Sequence, residues 1–104
     1  MKPEIIDPQA LKRLVISEKG SAVVLFTGEW CPDCKAFKHT WQEWARSKDG
    51  PVFQVDVARG SPLWAEWKLD EIPTVALFVA GSEKGRVHGV IADADLQRLW
   101  EEAF

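Results

Sequence analysis

The chain has 104 residues, 46% of them hydrophobic and 28% charged, with a formal net charge of −3. That length predicts one domain over residues 1–104, with a core that needs neither disulfide nor metal to hold it. The negative balance argues against a nucleic-acid partner, and no run approaches the roughly 20 apolar residues of a membrane span.

The first residues, "MKPEIIDPQALKRL", lack the apolar run of a secretory leader, so a cytoplasmic location is expected. A short first strand fits residues 4–6. Asp7 and Pro8 have the N-cap and N1 chemistry of a helix start. Ala10, Leu11, Leu14 and Val15 recur at helical spacing until Gly20 stops them. "AVVLF", residues 22–26, is a continuous apolar run that predicts a strand buried on both faces. Phe37, Trp41, Trp44 and Ala45 then fall on one face of a helix of about four turns. "VFQVDV", residues 52–57, is the next strand. Ser61 and Pro62 open a short helix carrying Leu63, Trp64 and Trp67.

"TVALFVA", residues 74–80, predicts another buried strand. "GSEKG" is expected as a turn and "RVHGV" as a short edge strand. "DADLQRLWEEAF" closes the chain as a helix with Leu96, Leu99 and Trp100 inward. This order implies an α/β fold, a central mixed sheet of four to five strands flanked by helices on both faces.

The chemistry concentrates in "GEWCPDCKAF", residues 28–37, which holds the only two cysteines. They stand where a buried strand turns into a helix. Pro32 fits N1, which makes Cys31 the N-cap. Its sulfur would face the free N–H groups of Asp33 and Cys34 and the positive end of the helix dipole, both of which favour a thiolate. Cys34, one turn in, is expected to be buried behind a more exposed Cys31 and to keep its proton longer. Such a pair suits dithiol exchange: attack by one sulfur, resolution by the other. Structural zinc wants four ligands, and the two cysteines with His39 give three at most, so no metal is expected. The alternatives are an inert pair, a dimer sharing a metal or iron–sulfur cluster, and a non-enzymatic module that recruits a partner through its aromatic surface.

Two further segments join the pair. "WC..CK" at residues 30–35, "EIPT" at residues 71–74 and Gly89 together resemble the thioredoxin superfamily. The form "WCPDC" is similar to the thioredoxin-related oxidoreductases with Pro-Asp between the cysteines. The resemblance implies a thioredoxin fold and a disulfide reductase with Cys31 as nucleophile and Cys34 as resolving thiol. Trp30 would be a flat apolar neighbour, Pro73 a cis-proline facing the cysteines, and Ile72 a backbone partner for an extended substrate. Pro32, Asp33 and Lys35 would tune the couple. Asp33 and Glu29 oppose thiolate formation, which points to a reductase rather than an oxidase. The implied working group is the Cys31/Cys34 disulfide with no bound cofactor. The implied partners are protein or small-molecule disulfides and a donor such as a thioredoxin reductase or a low-molecular-weight thiol, with the protein a monomer. Four positions depart from ordinary thioredoxins. Leu25 stands for their buried Asp, Val52 for the Lys paired with it, Thr27 for a Trp and His39 for the helix-kinking proline. The remaining tryptophans are expected in packing, and His39 and His88 on the surface.

Overall fold

The computed structural model describes residues 3–104. Five strands form one sheet: β1 Glu4–Ile5, β2 Ala22–Thr27, β3 Val52–Asp56, β4 Thr74–Val79 and β5 Ser82–His88. Their spatial order is β1-β3-β2-β4-β5. β1, β3 and β2 run parallel, whereas β4 is antiparallel to both β2 and β5. One end of the sheet therefore collects the last residues of β2, β3 and β5 and the first residue of β4.

The helices are α1 Pro8–Lys12, α2 Pro32–Arg46, α3 Leu63–Glu66 and α4 Asp93–Glu101. Asp7 caps α1 by accepting the Ala10 N–H at 2.7 Å, and the helix widens into a π-helical turn over Arg13–Ser17. The side-chain period of two along each strand feeds two cores. Val24, Phe26, Val55, Ala76 and Phe78 meet Leu11, Val15 and Leu63 on one face. Val23, Leu25, Val52, Val75 and Leu77 meet Phe37, Trp41, Trp44, Leu96 and Leu99 on the other. Helices thus cover both faces, which is why β2 and β4 read as unbroken apolar runs.

The tryptophans divide between these layers. Trp41 is wholly buried, stacks on Trp44 at 5.8 Å, and Trp44 meets Trp100 edge-on at 5.8 Å. Trp67 packs edge-on against Phe78 at 5.5 Å. Arg86 crosses from β5 to the carbonyl oxygens of Trp67 and Lys68, both at 2.9 Å. It thereby ties the end of the short helix to the edge strand.

The stretch "GSEKG" is not a turn. β5 begins at Ser82, and Val79 pairs with Ser82, so the hairpin turns on Ala80 and Gly81 alone. Both have positive φ, 50° and 85°, the signature of a two-residue turn whose twist matches the strands. Polar composition hid the strand because β5 is an edge with one solvated face. A Cβ on Gly81 would also meet the Val15 carbonyl oxygen at 2.8 Å. Gly81→Ala should therefore lower unfolding stability by about 1–3 kcal/mol in urea titrations. An unchanged midpoint would show that the turn relaxes freely.

Candidate active site

α2 starts directly beyond β2. Cys31 has extended backbone angles (φ −95°, ψ 113°) and Pro32 takes the first turn, where its missing N–H costs nothing. The Cys31 sulfur accepts the Cys34 N–H at 3.1 Å. The N-cap is therefore a sulfur, in a role that Ser, Thr, Asp or Asn usually fill. Its thiol also donates to the Ile72 carbonyl oxygen at 3.5 Å, so the segment ahead of β4 lies against the nucleophile position. The Ile72–Pro73 bond is cis. Thr74, the first residue of β4, donates its hydroxyl to the Glu71 carbonyl at 2.6 Å and closes this loop on itself.

Trp30 is pinned from beneath. Its indole N–H donates to the Val57 carbonyl at 2.8 Å. Gly28 makes this possible, since a Cβ there would stand 2.7 Å from the Trp30 Nε1 and 2.9 Å from the Val57 oxygen. Trp64 leans against Trp30 with ring centroids 6.3 Å apart and donates its own indole N–H to the Ala58 carbonyl at 2.9 Å. Arg59 lies over the Trp30 ring, its guanidinium carbon 4.9 Å from the centroid. Pro32, Asp33 and Lys35 are exposed in the first turn of α2.

The two sulfurs are equally hidden, Cys31 at 5% and Cys34 at 4% exposure. The expectation of a more exposed Cys31 is thereby corrected. The reason is the Ile72 carbonyl, which sits over that sulfur. The asymmetry lies in what surrounds Cys34. Its pKa is pushed up to about 11, first by burial and then by its hydrogen bond with the Cys31 sulfur. The Thr27 hydroxyl and the Gly28 amide pull in the opposite direction.

The strand register adds a neighbour to the departures at Leu25 and Val52. Leu25 pairs with Gln54, while Val52 pairs with Val23. The residue beside Leu25 is therefore Gln54, whose side-chain oxygen accepts the Trp41 indole N–H at 3.1 Å. Leu25 and Val52, the two places of the charged pair, both lie in one apolar core, and the ladder neighbour of Leu25 is a neutral amide. His39 is exposed on α2, and among the described residues no group of three or more His, Cys, Asp or Glu could hold a metal. His88 contacts the Glu71 carboxylate through Nδ1. The sequence reading treated it as a plain edge residue. It did not single out Arg59, because nothing in the order of residues brings it to the cysteines, and it quoted Glu71 only as the first residue of "EIPT". It did not single out Gln54, whose place beside Leu25 follows from strand register.

The arrangement is a dithiol site at a helix N-terminus, faced by a proline loop. A thioredoxin family model matches residues 2–102. Thioredoxin H2-2 of Oryza sativa is 32% identical over 77 residues, 73% of this chain and 57% of that one. A thioredoxin of Mycoplasmoides gallisepticum is 30% identical over 86 residues, 82% of this chain and 86% of that one. The chain thus spans little more than half of the rice relative and most of the bacterial one. Among solved structures, reduced Schistosoma mansoni thioredoxin superposes with a TM-score of 0.80 at 23% identity, covering 97% of this chain and 99% of that one. Thioredoxin NaTrxh of Nicotiana alata gives 0.79 at 23% identity, covering 100% and 97%. The chain belongs to the thioredoxin family.

The raised Cys34 value makes a pH prediction. The fold favours the protonated thiol over the ordinary value of 9.0. That stabilisation is fully present below pH 9 and is lost as pH rises from 9 towards 11. The reduced protein should lose roughly 2–3 kcal/mol across this window relative to Cys34→Ser, measured by urea unfolding. Parallel pH profiles for the two proteins would refute the assignment. At pH 7–8, peptide mapping should find Cys31 alkylated before Cys34, since Cys34 is held as the unreactive thiol.

Proposed function

We propose that the chain is a thiol–disulfide oxidoreductase that reduces protein or small-molecule disulfides through Cys31 and Cys34. The observation that carries this reading is the Cys31 sulfur itself. It accepts the Cys34 N–H at the N-terminal end of a 15-residue helix, with the second sulfur one turn behind it and the Ile72 carbonyl in front.

The Cys31 thiolate attacks one sulfur of the substrate disulfide. A new S–S bond forms, the substrate bond breaks, and the departing substrate sulfur takes up a proton. Cys34 then gives up its proton and attacks the Cys31 sulfur. The mixed disulfide breaks, the second substrate sulfur leaves and is protonated, and a Cys31/Cys34 disulfide remains. The substrate has gained two electrons, which the two cysteines have lost. A thioredoxin reductase or a low-molecular-weight thiol returns them. The two sulfurs hold both electrons, so the cycle needs no bound cofactor, and a reducing cytoplasm suits a pair that must be regenerated as dithiol.

Trp30, Ile72 and Pro73 form the substrate face in this reading. Trp30 gives a flat apolar wall and Ile72 backbone groups for an extended chain. Pro32, Asp33 and Lys35 tune the couple from the first turn. The Pro-Asp pair is the form shared with the thioredoxin-related oxidoreductases.

Cys34→Ser should hold substrates as mixed disulfides that survive denaturation and release with dithiothreitol. Cys31→Ser should neither turn over nor trap. Partner capture by Cys31→Ser at wild-type level, without a covalent bond, would instead identify a binding module. Asp33→Asn removes a negative charge near the nucleophile, so its reduction potential should become less negative by at most about 30 mV. A more negative potential would show the sign of that reasoning to be wrong.

A further inference from the structure

The end of the sheet that carries the cysteines has a charged rim beside them. Four neighbouring strands contribute in spatial order: the residues after β3, then Cys31 after β2, then Pro73 before β4, then His88 at the end of β5. At about 4.8 Å per strand these span roughly 14 Å. Glu71, just ahead of Ile72, is engaged by His88. On the opposite side of Cys31 stands Arg59, over the Trp30 ring. No carboxylate among the described residues, Glu29 and Asp33 included, forms an ion pair with it.

Arg59 is also held in place. Its loop is fastened by two indole N–H bonds to consecutive carbonyls, from Trp30 to Val57 and from Trp64 to Ala58. A guanidinium held over an aromatic face still has N–H groups to offer a planar carboxylate.

We propose that Arg59 is a specificity-determining residue that selects disulfide substrates carrying an acidic residue one or two positions from the half-cystine. This rests on the reductase reading above. In an extended chain such a residue lies about 3–7 Å from the half-cystine, close to the single strand spacing that separates the β2 and β3 positions. A carboxylate there meets the guanidinium edge while its neighbours lie on the Trp30 ring. A basic residue at the same place meets a like charge that no ion pair neutralises. Glu71, already bound to His88, does not offer the reverse preference with equal strength.

The test uses two peptides of one sequence, each joined in a mixed disulfide to the same chromophoric thiol. One has Asp and the other Lys two residues from the cysteine. The ratio of kcat/KM, Asp over Lys, is measured for the wild type, Arg59→Lys, Arg59→Gln and Arg59→Glu. The wild-type ratio should exceed one and fall by about three- to fivefold in Arg59→Gln, as expected for an exposed charge pair. It should invert in Arg59→Glu, be largely kept in Arg59→Lys, and shrink with added salt. Wild-type turnover of both peptides with a ratio that ignores residue 59 would overturn the proposal and leave the reductase reading standing. No wild-type turnover of either peptide would overturn both.

Discussion

The hydrogen bond from the Cys34 N–H to the Cys31 sulfur organises everything around it. It fixes where α2 begins, because the cap residue must hold extended backbone angles while the next residue enters the helix. It aims the sulfur at the helix dipole rather than at solvent. It also places Cys34 one turn further in, where burial governs its proton. One short contact thus sets helix start, nucleophile orientation and the unlike character of two identical side chains. The sheet supplies the rest of the geometry. With β2 and β3 parallel and β4 antiparallel, the strand ends that carry Cys31, Val57 and Pro73 must converge, and no single-residue change can separate them.

The fold and the place of the cysteine pair at a helix start were largely legible in the sequence because both depend on local patterns. Asp7-Pro8 and Cys31-Pro32 announce helix starts through the chemistry of the first turn. The runs 22–26 and 74–79 announce buried strands because helices cover both faces. What the sequence hid is long-range or composition-blind. β5 is a polar edge, so its first residues looked like a turn. The ladder neighbour of Leu25, Gln54, depends on strand register, which the residues alone do not state. The burial of Cys31 depends on the Ile72 carbonyl, 41 residues away. Arg59 reaches the site only because the loop after β3 folds under Trp30.

The pair Leu25 and Gln54 shapes the interior beneath the site. A carboxylate in that strand would bring a charge that must be matched by a nearby cation. An apolar side chain beside an amide that is itself bonded to Trp41 carries no such demand. Charge is confined to the rim, where Glu29, Asp33, Lys35, Arg59 and Glu71 are all exposed. The interior governs the proton on Cys34 through burial and neutral hydrogen bonds, and the charged groups stand at the rim.

In the proposed cycle, that division explains how Cys34 can be inert before the first attack and reactive after it. Besides burial, what holds its proton is the Cys31 sulfur, acting through a hydrogen bond and through charge. Once Cys31 is joined to a substrate, its sulfur carries no negative charge and no proton. Both of its effects on Cys34 then disappear. Burial remains, opposed by the Thr27 hydroxyl and the Gly28 amide, which favour the thiolate. Forming the mixed disulfide therefore moves Cys34 towards ionisation at the moment its attack is required. With no carboxylate at Leu25 to receive the proton, the Thr27 hydroxyl is the polar side chain beside Cys34 that can stabilise the charge it leaves behind.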